Sequence, residues 1–361
     1  MEEKHTNDRR VAVNDRAIRR TGAASKNNAV SAVIIVAVIA FIALLGSLLV
    51  LNLYIAKNRA TEESIRVQQS ENAHLAALLP VDTPTDPLET NIYALYTDET
   101  VLMGGDVISE YAILIDVLNN TVVAHKNGEA RMYPASMTKV MTMIVAVEHI
   151  EDFNKQFTFT YHITDPAYKA GASIAGFLSS ETVPLIDILY GIALPSGADC
   201  TTAIAVEVAG SEEAFVELMN EKAAELGLVN THFENASGLH HPNHYTTPHE
   251  MAIILEYAMS KPLLAEVMAT ANYTTTSTSQ HPSGLPLVST LFGKLYSQPT
   301  NAEIIAGKTG YTPEARRCLA SVAETPDGRR YVLVTGNAQS AESDRAAILD
   351  AVNIYENYIP K

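Results

Sequence analysis

Residues 111–126 read YAILIDVLNNTVVAHK and residues 318–335 read CLASVAETPDGRRYVLVT. Each is a pair of apolar, β-branched runs around a turn, Leu118-Asn119-Asn120 in the first and Asp327-Gly328 in the second. That pattern predicts two β-hairpins, one near each end of the folded chain. What lies between reads mostly as helix. Pro134 precedes a helix with Met137, Val140, Met141, Ile144 and Val147 on its buried side. Ser211 caps another, in which Phe215, Leu218, Met219 and Leu226 recur before Gly227 ends it. A closing amphipathic helix is predicted over 340–358, with Ala347, Ile348, Val352 and Tyr355 on one face. Strands from both ends around a helical insert predict an α/β (α+β) domain. It would have one antiparallel sheet flanked by helices, with an inserted helical lobe beside it.

Outside this domain, residues 29–56 (AVSAVIIVAVIAFIALLGSLLVLNLYIA) carry no charge and exceed the roughly 20 residues that cross a bilayer core. A cleaved signal peptide has an apolar region of only about 7–15 residues, so an uncleaved transmembrane helix is expected. Residues 1–28 hold seven Lys or Arg against four Asp or Glu, and positive flanks stay in the cytoplasm. The expected organisation is a cytoplasmic tail (1–28), an anchor (29–56), a stalk and linker (57–100, with the Pro- and Thr-rich PVDTPTDPLET) and an extracytoplasmic domain (101–361). The protein would then sit in the cell membrane as a single-pass chain. A net charge of −16 with no basic tract beyond the N-terminus excludes nucleic acid as an expected partner. Two cysteines exclude a disulfide scaffold or a Cys-rich zinc module.

Chemistry concentrates in three short runs. Ser136-Met137-Thr138-Lys139 opens the first long helix, and a three-residue spacing puts Ser136 and Lys139 on one face. A serine hydroxyl needs a base to become a nucleophile, and a partly buried lysine can be one because desolvation lowers its pKa. By itself the pair also fits a helix N-terminal serine beside a solvated lysine. Lys308-Thr309-Gly310 follows IIAG and is placed at a sheet edge. Lys308 and Thr309 offer a cation and a hydroxyl to a carboxylate, and Gly310 lets a ligand's backbone approach closely. An exposed edge lysine that blocks aggregation is the alternative. Ser196-Gly197-Ala198-Asp199 taken alone is a helix cap.

The order S-x-x-K, serine turn, K-T-G resembles the penicillin-recognising serine acyl-enzymes. More closely it is similar to the D-alanyl-D-alanine carboxypeptidases, the low-molecular-mass penicillin-binding proteins, over residues 108–350. The stretches that carry this are AILID, YPASMTKVMT, LPSGAD, FVELMNEKAAELGLVNTHFENASGLHHPNHYTT and AGKTGYTPEARRCLASVA. The resemblance implies a β-lactamase/transpeptidase-like fold, a peptidoglycan stem peptide ending in D-Ala-D-Ala as substrate, β-lactam antibiotics as covalent inhibitors, and no cofactor or metal. It implies Ser136 as nucleophile, Lys139 as base and Ser196 as proton relay. The N–H groups of Ser136 and Tyr311 would hold the oxyanion. Lys308, Thr309 and Gly310 would receive the terminal carboxylate, with Arg345 assisting.

Two departures stand out. Ala198 replaces an asparagine usual in the middle motif, and Arg316 replaces a usual glycine. The first motivates a weakly catalytic penicillin- or wall-binding protein as a rival, alongside a β-lactamase-like hydrolase. His240, His241, His244 and His249 invite a metal reading, but Pro242 breaks the helix that an H-x-x-x-H face needs. Cys200 and Cys318 are expected as two buried free thiols, with a disulfide as the alternative outside the cytoplasm.

Overall fold

The computed structural model of the chain describes residues 93–339 and 343–360. The expected tail, anchor and most of the stalk (residues 1–92) lie outside the described residues. Among the described residues no helix is long and apolar enough to cross a membrane.

Both hairpins form. Strands β1 (Val101–Leu102), β2 (Tyr111–Asp116), β3 (Thr121–Lys126), β8 (Glu303–Thr312), β9 (Arg316–Glu324) and β10 (Arg330–Ala338) make one sheet in the order β1-β3-β2-β10-β9-β8. β10 pairs antiparallel with β2, Val332 opposite Ile115, and so joins the two ends of the chain. Two short hairpins, β4 (Gln156–Thr158) with β5 (Thr182–Pro184) and β6 (Asn272–Thr274) with β7 (Pro286–Val288), lie apart from the main sheet. The main sheet departs from the expected all-antiparallel pattern at β1, which pairs parallel with β3. The chain before β1 already contacts the domain: Ala94 is buried and Leu95 N–H donates to Asn120 O at 2.9 Å.

The apolar runs lack clean alternation because both sheet faces are covered. Ile113, Ile115, Val332 and Val334 pack into the helical lobe's core. Ala112, Leu114, Tyr331 and Leu333 pack under the closing helix. Each large side chain so buried contributes roughly 1.5–3 kcal/mol. That closing helix spans Ala346–Tyr358 and buries Ala347, Ile348, Ala351, Ile354 and Tyr355. Val352, expected on this face, is only half-buried.

The lobe contains α1 (Lys139–His149), α2 (Tyr161–Lys169), α3 (Leu185–Ala193), α4 (Ala198–Ala209), α5 (Glu212–Glu225), α6 (Pro248–Met259) and α7 (Pro262–Ala269). α6 packs against β2 and β10. α5 has the expected cap, Ala214 N–H to Ser211 Oγ at 3.2 Å, and Gly227 follows it in the left-handed region (φ +70°). α1 is more deeply placed than its pattern suggested: Lys139 through Ala146 are all buried. A helix that is apolar all round belongs in a core. α1 therefore holds Lys139 inside the lobe at the lobe–sheet junction.

Candidate active site

Between lobe and sheet lies a cavity of about 540 Å³. Ser136 and Lys139, Ser196 and Ala198, and Thr309, Gly310 and Tyr311 line it together with Arg345. The three motifs, 60 and more residues apart in sequence, thus meet at one place. Ser136 sits in a short 3-10 turn, Ala135–Thr138, ahead of α1. Ala135 adopts a left-handed conformation (φ +48°), a conformation that costs energy in a residue with a Cβ and is common next to functional groups.

Lys139 Nζ lies 3.0 Å from Ser136 Oγ and donates to Ser237 O at 2.6 Å. Its burial is complete and lowers its pKa from 10.5 to about 7, an effect only partly opposed by Asp199, Cys200 and Glu212. An amine in this state can accept a proton from the hydroxyl beside it. Lys308 is also buried, with Nζ donating to Ser196 Oγ at 2.8 Å and to Thr309 O at 3.0 Å. Burial lowers its pKa well below the usual lysine value, and the neighbouring Lys139 lowers it further. The exposed-edge reading of Lys308 is therefore overturned, although β8 is the sheet edge. The run 196–199 does open a helix, as its cap reading had it, but Ser196 is not the cap residue. Gly197 occupies that position, while Ser196 (φ +67°) turns its hydroxyl to Lys308.

Gly310 has a specific steric role. A Cβ there would lie 2.9 Å from Pro134 O and 3.1 Å from Ser136 N. The expectation gave this close approach to a ligand's backbone, whereas here the chain's own serine turn makes it and fixes Ser136 against β8. Gly238 also packs on this turn, where a Cβ would come within 1.9 Å of Ala135 O and φ is +83°. Arg345 caps the closing helix, donates from Nε to Lys294 O at 2.8 Å and stacks 3.9 Å over Tyr296. Arg317, Lys294 and Asp344 line the same cavity. Arg316 takes a left-handed φ of +56°, which explains why a glycine suits this position.

Several supporting residues escaped the motif reading. Asn235 Oδ1 accepts from the N–H groups of Ser237 (3.2 Å), Gly238 (2.7 Å) and Leu239 (3.1 Å). It thereby shapes the loop whose Ser237 carbonyl holds Lys139. The Asn-x-Ser-Gly run at 235–238 is an Asx-turn signal that marks this loop from sequence. Thr290 Oγ1 lies 2.6 Å from Thr309 Oγ1. Asp199 accepts from Ala175 and Gly176 N–H (2.9 and 3.2 Å), which ties α4 to the loop at the cavity rim.

Among the described residues no group of three or more His, Cys, Asp or Glu is placed to hold a metal ion. His244 is buried, with Nε2 2.7 Å from Thr138 Oγ1 and Nδ1 accepting from Glu234 N–H at 3.2 Å. Burial lowers its pKa to about 3. His249 turns to Glu129 Oε1 at 2.6 Å. Cys200 and Cys318 are both buried free thiols, and burial pushes the Cys318 thiol up to about 12.

A six-stranded sheet with a helical lobe, and a serine beside a buried lysine in the cleft between them, define the class of β-lactamase/transpeptidase-like serine acyl-enzymes. The family described as D-alanyl-D-alanine carboxypeptidase matches residues 98–340, and the chain belongs to that family. The D-alanyl-D-alanine carboxypeptidase DacF of Bacillus subtilis is 33% identical over 238 residues, 64% of this chain and 58% of that protein. DacA of Escherichia coli is 36% identical over 152 residues, 40% of this chain and 38% of that one. The match therefore spans little more than half of the first and about two fifths of the second. The crystal structure of the DD-transpeptidase of Streptomyces K15 superposes with a TM-score of 0.63 at 28% identity, covering 70% of this chain and 97% of that one.

Proposed function

We propose that the protein is a serine D,D-carboxypeptidase that removes the terminal D-alanine from peptidoglycan stem pentapeptides. The observation that carries this reading is the completely buried Lys139, its pKa lowered to about 7, 3.0 Å from a serine hydroxyl that faces a cavity. Ser136 Oγ attacks the carbonyl carbon between the last two D-alanines, and the neutral amine of Lys139 takes the hydroxyl proton. The N–H groups of Ser136 and Tyr311 hold the resulting oxyanion, each such donor being worth about 3–4 kcal/mol in analogous enzymes. Collapse breaks the C–N bond. The leaving nitrogen takes the proton back from Lys139 through the Ser196 hydroxyl, and D-alanine departs. Water, deprotonated by Lys139, then cleaves the ester and restores Ser136. Thr309, with Lys308 behind it and Arg345 on the same cavity, receives the substrate's terminal carboxylate. β-Lactams would acylate the same serine.

The uncharged run at 29–56 and its basic flank support an anchored, extracytoplasmic domain. N-terminal sequencing of the membrane-extracted protein tests this, and a start beyond residue 56 would refute it. D-Alanine release from a pentapeptide, combined with mass spectrometry of the penicillin adduct on the peptide containing YPASMTK, tests the activity. An adduct on another serine refutes the assignment of Ser136.

One observation favours a second reading, a penicillin-binding protein of slow turnover. Ala198 lines the cavity where the usual asparagine would offer its amide. Labelling without D-alanine release would select that reading, and rapid penicillin hydrolysis would select a β-lactamase.

A further inference from the structure

A second cavity, of about 430 Å³, lies beside the first. Its volume falls within the roughly 300–1,000 Å³ range of small-molecule sites. Tyr111, Tyr133 and Tyr245 line it together with Arg131, Asn243 and Glu314. Arg131 is already committed, its guanidinium 4.2 Å over the Tyr245 ring and bonded to Asn230 Oδ1 at 3.2 Å. It thus stiffens the wall more than it offers a free charge. Flat rings with hydroxyl tips, an amide and a carboxylate match a sugar: rings cover its C–H faces, while amide and carboxylate take its hydroxyl and acetamido groups.

The same three segments wall both cavities. Tyr133 faces the second cavity and Ser136 the first. Gly238 and Leu239 line the first, Pro242 and Asn243 the second. Thr312 and Pro313 line the first, Glu314 and Ala315 the second. Three residues span at most about 10 Å and a five-residue peptide about 17 Å. If the substrate's carboxylate lies at Thr309 and its scissile carbonyl at Tyr311, its N-terminal part runs on past Thr312 toward the turn at Glu314. A stem peptide carries its sugar at that N-terminal end.

We propose that this second cavity is a saccharide subsite that holds the N-acetylated sugar of the glycan strand from which the stem peptide hangs. The inference deepens the carboxypeptidase reading and rests on it for the substrate's direction. The test compares kcat/KM for D-alanine release from a free pentapeptide and from the same pentapeptide on an N-acetylhexosamine disaccharide. A second measurement titrates the peptide-free disaccharide into the Ser136→Ala protein, followed by protein-detected NMR.

The wild type should favour the glycosylated substrate by about tenfold. Asn243→Ala combined with Tyr245→Phe, neither on the path given to the peptide, should abolish that preference and leave the free pentapeptide unchanged. Disaccharide-induced shifts should appear in the Ser136→Ala protein and disappear in the combined variant. Equal kcat/KM for the two substrates, or an equal loss on both in the variant, overturns the proposal. Absence of disaccharide binding does so too. If neither substrate releases D-alanine but the disaccharide binds and the variant loses it, the hydrolytic reading fails and the saccharide site stands. Tyr245→Phe, which deletes only a hydroxyl, gives the same comparison should the double variant fold poorly.

Discussion

Replacing Lys139 with methionine should stabilise the protein at neutral pH while abolishing acylation. The lysine's pKa falls from 10.5 to about 7 on complete burial. At neutral pH an unfolded lysine keeps its proton, whereas the folded one has given up about half of it. Each pKa unit corresponds to about 1.4 kcal/mol, so keeping this group in the fold costs about 4 kcal/mol at pH 7. Between pH 7 and 10.5 the unfolded chain binds more protons than the folded one, and wild-type stability therefore rises with pH in that window. Below about pH 7 both states are protonated, and the contribution is flat at its least favourable. Methionine fills a similar volume and binds no proton, so its stability should not follow the rise. It forfeits the bond to Ser237 O, and a carbonyl left unpaired costs about 1–3 kcal/mol. The expected net gain is about 1–3 kcal/mol at neutral pH, turning into a loss above the window. Lys308 acts in the same direction, because Lys139 is one of the two causes that lower its pKa. Urea unfolding of both proteins across the window measures the difference, and other titrating groups cancel in it. A variant less stable than wild type at pH 7, beside a wild type whose stability is flat through the window, would refute the reasoning.

Other expectations follow from the same geometry. Acylation should rise as pH increases through about 7, since Lys139 acts only when neutral; a rate independent of pH there would exclude it as the base. Gly310→Ala puts a Cβ 2.9 Å from Pro134 O and should displace the serine turn. Penicillin acylation should then drop by about 100-fold with near-native circular dichroism. Asn235→Ala removes the acceptor of three loop N–H groups and should cost about 2–4 kcal/mol in chemical denaturation. Ala198→Asn should preserve or raise acylation, by about tenfold if its amide reaches Lys139 or the substrate. Collapse of activity in a folded variant would show a site rebuilt around alanine, and stopped-flow labelling reads either result.

The order of the motifs and the two hairpins were legible in the sequence because they depend on local chemistry. Turn residues end apolar runs at 118–120 and 327–328, and a three-residue spacing puts Ser136 and Lys139 one helical turn apart. Those features sufficed for the two hairpins and the helical lobe, whereas roles for Ser136 and Lys139 came only with the resemblance of the whole motif order. The sequence could not show how deeply each group is buried, because burial depends on what packs from elsewhere. Lys308 read equally well as an exposed edge lysine until Ser196, 112 residues earlier, was found against its amine. The run 196–199 read only as a cap; Gly197 takes that position, and the Ser196 hydroxyl instead accepts from Lys308. Lys139, the proposed base, is held by a main-chain carbonyl, Ser237 O, and a carbonyl has no residue type to recognise. Residue chemistry is written along the chain, but pKa and direction are set by solvent exclusion and by neighbours distant in sequence, so only the tertiary structure decided them.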